Sequence, residues 1–178
     1  MQISIFIATS LDGFISRPDG AIDWLPAEPS GEDYGYERFI TSVDTLIMGR
    51  KTYEQVLSFP NWPYGALPVV VLTTRALHIL PSLARTVTTM SGTPSAIVQT
   101  LEAQGVKHVY VDGGVTIQNF LAADLITQLT ITTIPILIGR GIPLFGPSEH
   151  DIPLKHLAGK SYPNGFTQNT YEVISPLK

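Results

Sequence analysis

Three short stretches combine glycines, hydroxyls and basic side chains where buried strands would end: Met48-Gly49-Arg50-Lys51-Thr52-Tyr53-Glu54, Thr73-Thr74-Arg75, and Val111-Asp112-Gly113-Gly114-Val115-Thr116. The first follows the apolar run Thr45 to Met48 and precedes Thr52 to Leu57, which can be helical. A glycine between a strand and a helix lets the backbone come close to a ligand, and the amides that open a helix favour an anion. Arg50 and Lys51 add positive charge at that point. The paired glycines of the third stretch permit unusual backbone angles and close approach to a pyrophosphate, although a tight strand-to-helix turn would use the same residues. The pattern is not GxGxxG, so the ordinary dinucleotide fingerprint is absent. In the second stretch, two hydroxyls and a guanidinium can hold a phosphate monoester or simply cap a solvated strand end. Together the three suggest a ligand with several phosphates, such as a phosphorylated dinucleotide.

The elements that must position these groups alternate. Gln2 to Thr9 reads as a first strand, apolar on both faces and therefore central. Ser10 to Pro29, rich in Gly, Pro and Asp, reads as loop. Glu32 to Val43 carries Tyr36, Phe39, Ile40 and Val43 at helical spacing. Strands are expected at Thr45 to Met48, Pro68 to Thr73, Arg85 to Met90 and Lys107 to Val111, and a long β-branched one at Gln128 to Ile138. Helices are expected after Arg50, over Thr93 to Gln104 with Pro94 in the first turn and Gly105 past the end, and over Val115 to Ala123. Leu154 to Ile174 suggests two strands around a Pro163-Asn164-Gly165 turn. The fold class is α/β, with a mainly parallel sheet and antiparallel strands near the C-terminus, in one domain over residues 1–178.

Composition narrows the partners. A net charge of −4 with no basic run argues against nucleic acid. With no cysteines, disulfides, thiolate zinc sites and cysteine nucleophiles are excluded. The four histidines (His78, His108, His150 and His156) show no metal-ligand spacing, so no metal is expected. The N-terminus lacks the basic region of a signal peptide, and no apolar run approaches the ~20 residues that span a bilayer. A soluble cytoplasmic protein is the expectation.

The Met48 to Glu54 heptad resembles the pyrophosphate-side motif of dihydrofolate reductases. The order of motifs is similar too: Ile7-Ala8-Thr9-Ser10-Leu11-Asp12-Gly13-Phe14-Ile15-Ser16, the loop Asp23-Trp24-Leu25-Pro26, the heptad, the Thr-Arg strand end, and a glycine pair before a helix. The run Pro135 to Phe145, of the form P-x-x-x-G-x-G-x-x-L-F, resembles more closely the C-terminal reductase domain of bacterial riboflavin-biosynthesis proteins, which shares the dihydrofolate reductase-like fold. The resemblance covers nearly the whole chain. It implies an NADPH-dependent reductase of a small heterocyclic substrate, similar to 5-amino-6-(5-phosphoribosylamino)uracil reductase. It implies that Gly49, Arg50, Lys51 and Thr52 meet the pyrophosphate and adenosine side. Thr73, Thr74 and Arg75 would hold the 2′-phosphate, and Gly113, Gly114, Val115 and Thr116 would face the pyrophosphate. Ala8 and Ile15 would present backbone groups to the nicotinamide carboxamide. The riboflavin branch also implies a homodimer paired through the C-terminal strands. Two departures from that branch are Phe14, where it usually carries a lysine, and the absence of the cysteines and H-x-E motif of a fused zinc deaminase.

Reduction also needs a proton. A carboxyl group in an apolar pocket has a raised pKa and can donate one. Dihydrofolate reductases keep such a group at the start of the helix before the heptad, which by spacing implies Asp33 as the catalytic acid. The more frequent use of acids such as Glu32 and Asp33 is in the first turn of a helix, at its positive end, and that reading ranks above catalysis. Trp24, in a candidate lid loop flanked by Gly20, Pro18 and Pro26, together with Tyr34 and Tyr36, would line the substrate pocket. An ordinary dihydrofolate reductase and an NADPH-binding module without turnover remain the alternative readings.

Overall fold

The computed structural model describes residues 1–26 and 32–174. Its strands are β1 (Gln2–Ser10), β2 (Phe14–Ser16), β3 (Thr45–Gly49), β4 (Val69–Leu72), β5 (Val87–Met90), β6 (His108–Asp112), β7 (Gln128–Ile134), β8 (Ile142–Pro143), β9 (Leu154–Ser161) and β10 (Thr167–Val173). Its helices are α1 (Tyr36–Thr41), α2 (Arg50–Val56), α3 (Pro94–Ala103) and α4 (Gly114–Ala122). One sheet runs in the order β5-β4-β3-β6-β1-β7-β10-β9, and β2 and β8 form a separate two-stranded pair. From β5 to β7 every pairing is parallel, while β10 is antiparallel to both β7 and β9. This is the expected α/β architecture, and β1 is indeed central, between β6 and β7.

Because side chains alternate along a strand, the parallel strands bury both faces. One face carries Ile3, Ile5, Ile47, Val70, Val109 and Val111 against Ile97, Val98 and Leu101 of α3 and Ile117, Phe120 and Leu121 of α4. The other carries Leu46, Met48, Val69, Val71 and Tyr110 against Tyr53 of α2 and the partly buried Tyr36, Phe39 and Ile40 of α1. Each fully buried aliphatic side chain contributes roughly 1.5–3 kcal/mol, so this double burial is what holds the strand ends in place. All the parallel strands end on one edge, so the three candidate stretches share it.

Several boundaries differ from the sequence-based expectation. Helix α1 begins at Tyr36 rather than Glu32, because Tyr34 (φ 54°) and Gly35 (φ 80°) take left-handed conformations that no helix continues. Strand β7 ends at Ile134 rather than Ile138: Pro135 has no N–H to give the ladder, and the Ile136 N–H turns back to the Ile134 carbonyl. Strand β5 starts at Val87 rather than Arg85. The β9–β10 hairpin turns at Pro163-Asn164-Gly165 as expected, with Gly165 at φ 85° and the Tyr162 N–H donating to the Phe166 carbonyl. Strand β7 is paired within the chain on both sides, so among the C-terminal strands the free edge is β9, exposed along its length. The loop expected from Ser10 to Pro29 contains the short β2, and its last part, with Gly31, falls outside the described residues. No helix among the described residues is long and apolar enough to cross a membrane.

Candidate active site

Helices α2 and α4 leave adjacent sheet positions, and their first turns interlock. An added Cβ at Gly113 would run into the Thr52 side chain of α2, and one at Gly49 would lie 3.0 Å from Oγ1 of Thr116 in α4. Gly113 also holds φ 90°, which side chains rarely adopt, while Gly49 is extended. The glycines therefore let two helix starts approach across β3 and β6, whose register pairs Met48 with Asp112. Neither Gly49 nor Gly113 gives its helix a side-chain cap. The opening amides of two neighbouring helices are thus left for another acceptor, in contrast to α3, where Thr93 Oγ1 accepts the Ala96 N–H at 3.3 Å.

Helix α2 also links the other parts of the site. Arg50 donates through Nη1 to the Ala76 carbonyl at 3.0 Å and through Nε to Glu54 at 2.7 Å. It is therefore a tether to the loop after β4 rather than a free cation. Lys51, Thr74 and Arg75 are exposed. The Thr73 hydroxyl accepts the Arg75 N–H at 3.2 Å and orders that turn beside the end of β3, where Gly49 pairs with Leu72. Gln55 donates to the Gly20 carbonyl at 2.7 Å, and Arg17 pairs with Asp23. The loop expected to act as a lid is thereby pinned to α2. In Gln55→Ala that pin is lost, and amide hydrogen exchange at residues 17–25 is expected to rise about tenfold; unchanged exchange would mean that Arg17–Asp23 alone holds the loop.

The opposite side of the cradle is formed by the Asp12 loop and the 135–145 run. The Asp12 carboxylate accepts the Gly139 N–H at 2.7 Å and the Ile138 N–H at 3.3 Å. The Ser10 side chain first, and these amides with it, hold its pKa below the ordinary value. Asp12 is thus a structural clasp. A Cβ on Gly141 would strike the Ser16 carbonyl, so the second glycine of the P-x-x-x-G-x-G run lets this segment lie directly on β2. Ile15 and Ile142 then close over Gly114, whose added Cβ would meet them at 3.0 and 2.9 Å.

The remaining expected residues separate. Ala8 packs with the buried Trp24 in a cluster with Ile134, Tyr162 and Phe166. Tyr34 joins the same cluster, stacking on Phe166 and accepting through its hydroxyl from Asn164 at 2.7 Å. Trp24 and Tyr34 therefore anchor the lid and the start of α1 to the C-terminal hairpin. Asp33 is exposed and takes the Gly35 N–H at 2.9 Å and the Glu37 N–H at 3.1 Å. These two bonds lower its pKa, which makes it a good cap for α1 and a poor proton donor at neutral pH. Tyr36 opens α1 and lies edge-on to Phe6 of β1, and burial raises its pKa to about 12.

A residue that the motifs do not single out stands at the centre. Asp112 ends β6, immediately before the glycine pair, and its Oδ1 accepts the Gly113 N–H at 2.8 Å. Desolvation nevertheless raises its pKa to about 6. Its charge in turn helps push up the pKa values of Tyr36, Tyr64 and Tyr110, after burial as the larger cause. The signal in the sequence is an acid directly before Gly113 at the end of a buried run, a position that otherwise reads only as a turn.

A family model described as the RibD C-terminal domain matches residues 2–167. The chain is 34% identical over 160 residues to YwjB of Bacillus subtilis (strain 168), itself uncharacterized, covering 89% of this chain and 90% of that one. It is 33% identical over 126 residues to the dihydrofolate reductase HdrB of Haloferax volcanii, covering 68% of this chain and 62% of the relative. A crystal structure of a protein from Shewanella sp. PV-4, provisionally assigned to riboflavin biosynthesis, superposes with a TM-score of 0.91 at 40% identity, covering 98% of this chain and 99% of that one.

Proposed function

The chain belongs to the RibD C-terminal domain family, and from that premise we propose that it is an NADPH-dependent reductase of a small heterocyclic substrate. The observation that carries this reading is the pair of interlocked, uncapped helix starts at Gly49 and Gly113, on the same sheet edge as the Thr73–Arg75 turn. A dinucleotide with an extra phosphate matches that layout. The amides of Gly114, Val115 and Thr116, with those of Lys51 and Thr52, would hold the pyrophosphate, and Thr73, Thr74 and Arg75 the 2′-phosphate. Val115 is 68% exposed, an apolar surface beside the glycines for the nucleotide to cover. Ala8 and Ile15 would border the nicotinamide. When bound, the cofactor supplies a hydride, and the protein orients it and excludes water.

The test is NADPH fluorescence on mixing, followed by NADPH oxidation with pterins, ribosylaminopyrimidines and simple carbonyl compounds. Binding and turnover with a heterocycle are the expected result, and failure of NADPH to bind sinks the reading. Arg75→Ala is expected to weaken NADPH about tenfold to a hundredfold, the loss of one charge-assisted contact, and to leave NADH unchanged. Equal loss for both cofactors would move the 2′-phosphate site elsewhere.

The likeness to HdrB favours one second reading, reduction of dihydrofolate itself. Turnover of dihydrofolate at ordinary enzyme rates, with none for the pyrimidines, would select it.

A further inference from the structure

The sheet face on which β6 ends is walled by aromatic side chains from separate parts of the chain. Side chains alternate along a strand, so Tyr110 and Asp112 share the face that Phe6 of β1 and Met48 of β3 also line. Tyr36 of α1 lies edge-on to Phe6, and Tyr64, from the segment between α2 and β4, lies edge-on to Trp62 at 5.2 Å. Both tyrosines belong to the cluster on this face and respond to the charge of Asp112, and Tyr64 responds to Tyr36 as well. The two phenols therefore stand near each other, close to the end of β6. Their hydroxyls differ from that of Tyr110, which donates to the Phe6 carbonyl at 2.9 Å. Those of Tyr36 and Tyr64 pair with no group among the described residues, and neither is sealed from solvent. Burial raises both pKa values, so both stay neutral at neutral pH and each can donate or accept a hydrogen bond.

Charge on this face is arranged against an anion. From Gln55 to Thr74, the stretch that supplies Trp62 and Tyr64, the chain carries no charged residue. On α1, Arg38 is exposed while Tyr36, Phe39 and Ile40 pack inward. Arg17, Arg50 and Lys160 are held by Asp23, Glu54 and Glu32. The carboxyl on this face, Asp112, is negative when ionised. We propose that Tyr36 and Tyr64 select the substrate of this reductase, and that the substrate is an uncharged planar heterocycle with neither phosphate nor carboxylate, hydrogen-bonded along its edge by the two phenols. The inference deepens the reductase reading above and rests on it. A flat ring suits aromatic walls, and its carbonyl and N–H groups match phenols that donate and accept. A phosphate or carboxylate would exchange its water for neutral hydroxyls beside an acid, a cost that this wall does not offset. The phosphoribosyl pyrimidine implied by the resemblance is therefore expected to be a poor substrate.

The test measures dissociation constants on the full chain, with and without saturating NADP⁺, for pterin against pterin-6-carboxylate and for uracil against orotate. Each pair shares a ring and differs by one carboxylate. The neutral member is expected to bind about tenfold tighter or better. Tyr36→Phe and Tyr64→Phe keep the rings, and each is expected to weaken the neutral ligand about fivefold to tenfold, the loss of one uncharged hydrogen bond. Tyr110→Phe, whose hydroxyl is already committed to Phe6, is expected to leave that affinity unchanged. NADPH binding, followed by fluorescence, should be the same in all three variants. Equal or tighter binding of the carboxylates, binding of neither ring, no loss in Tyr36→Phe and Tyr64→Phe, or an equal loss in Tyr110→Phe each overturns the proposal and leaves the cofactor reading standing as long as NADPH binds. Absence of NADPH binding overturns both.

Discussion

Gly113→Ala is expected to destabilise the fold by about 2–5 kcal/mol. A side chain at φ 90° costs on the order of 1–2 kcal/mol, and overpacking at a tight contact adds about 1–3 kcal/mol. The new methyl would overlap the Thr52 side chain, which cannot retreat because α2 is fixed by the buried Tyr53 and Val56. The contact predicts its own relief. In the double variant Thr52→Ala/Gly113→Ala the hydroxyl is gone, so the combined loss should be smaller than the sum of the single losses by about 1 kcal/mol or more, with the backbone strain remaining. Urea unfolding of the four proteins measures this cycle. Strict additivity would mean that the two helix starts are not in contact, and the cradle at Gly49 and Gly113 would lose its physical basis.

Asp112→Asn should stabilise the protein above neutral pH, and its effect should reverse or vanish in acid. The native carboxyl titrates at about 6, above its ordinary value of 3.8. Between these values the folded chain binds more protons than the unfolded chain, so this group's contribution to stability falls as pH rises. The cost is complete above about pH 6 and amounts to roughly 2–3 kcal/mol. Asparagine carries no charge to desolvate, so Tm of Asp112→Asn should exceed that of the parent at pH 8 and not at pH 4. Asp33→Asn should behave in the opposite sense. That carboxylate is held below its ordinary value by the Gly35 and Glu37 amides, so whatever it contributes is present above the ordinary carboxylate range and is lost as acid protonates it. A Tm difference for Asp112→Asn that does not vary with pH would show that the carboxyl is well solvated.

The meeting of the glycine- and hydroxyl-bearing stretches is legible in the amino-acid order because it depends on local chemistry repeated at strand ends. Apolar runs such as Leu46-Ile47-Met48 and Val69-Val70-Val71 must be buried, and parallel strands connected by helices deliver their carboxyl ends to one edge. The residues just past each run, Gly49, Thr73 and Gly113, therefore have to meet. The Pro163-Asn164-Gly165 turn is legible for the same reason, since its geometry is dictated by its own residues. The roles of the acids are not. Asp33 and Asp112 are equally short carboxylates, each beside glycine-containing turns. Asp33 becomes a cap because Tyr34 and Gly35 turn left-handed and aim two amides at it, which also shortens α1. Asp112 becomes a poorly solvated acid because burial at the end of β6 withdraws water from it, on the sheet face where residues 36, 64 and 110 share one apolar cluster. Solvation is a property of the assembled surroundings, and no spacing along the chain encodes it. The sequence alone determined the fold class, the family and the meeting of three strand-end stretches on one sheet edge; which carboxyl titrates above its ordinary value and which below was decided only when the tertiary structure withdrew water from one and supplied hydrogen bonds to the other.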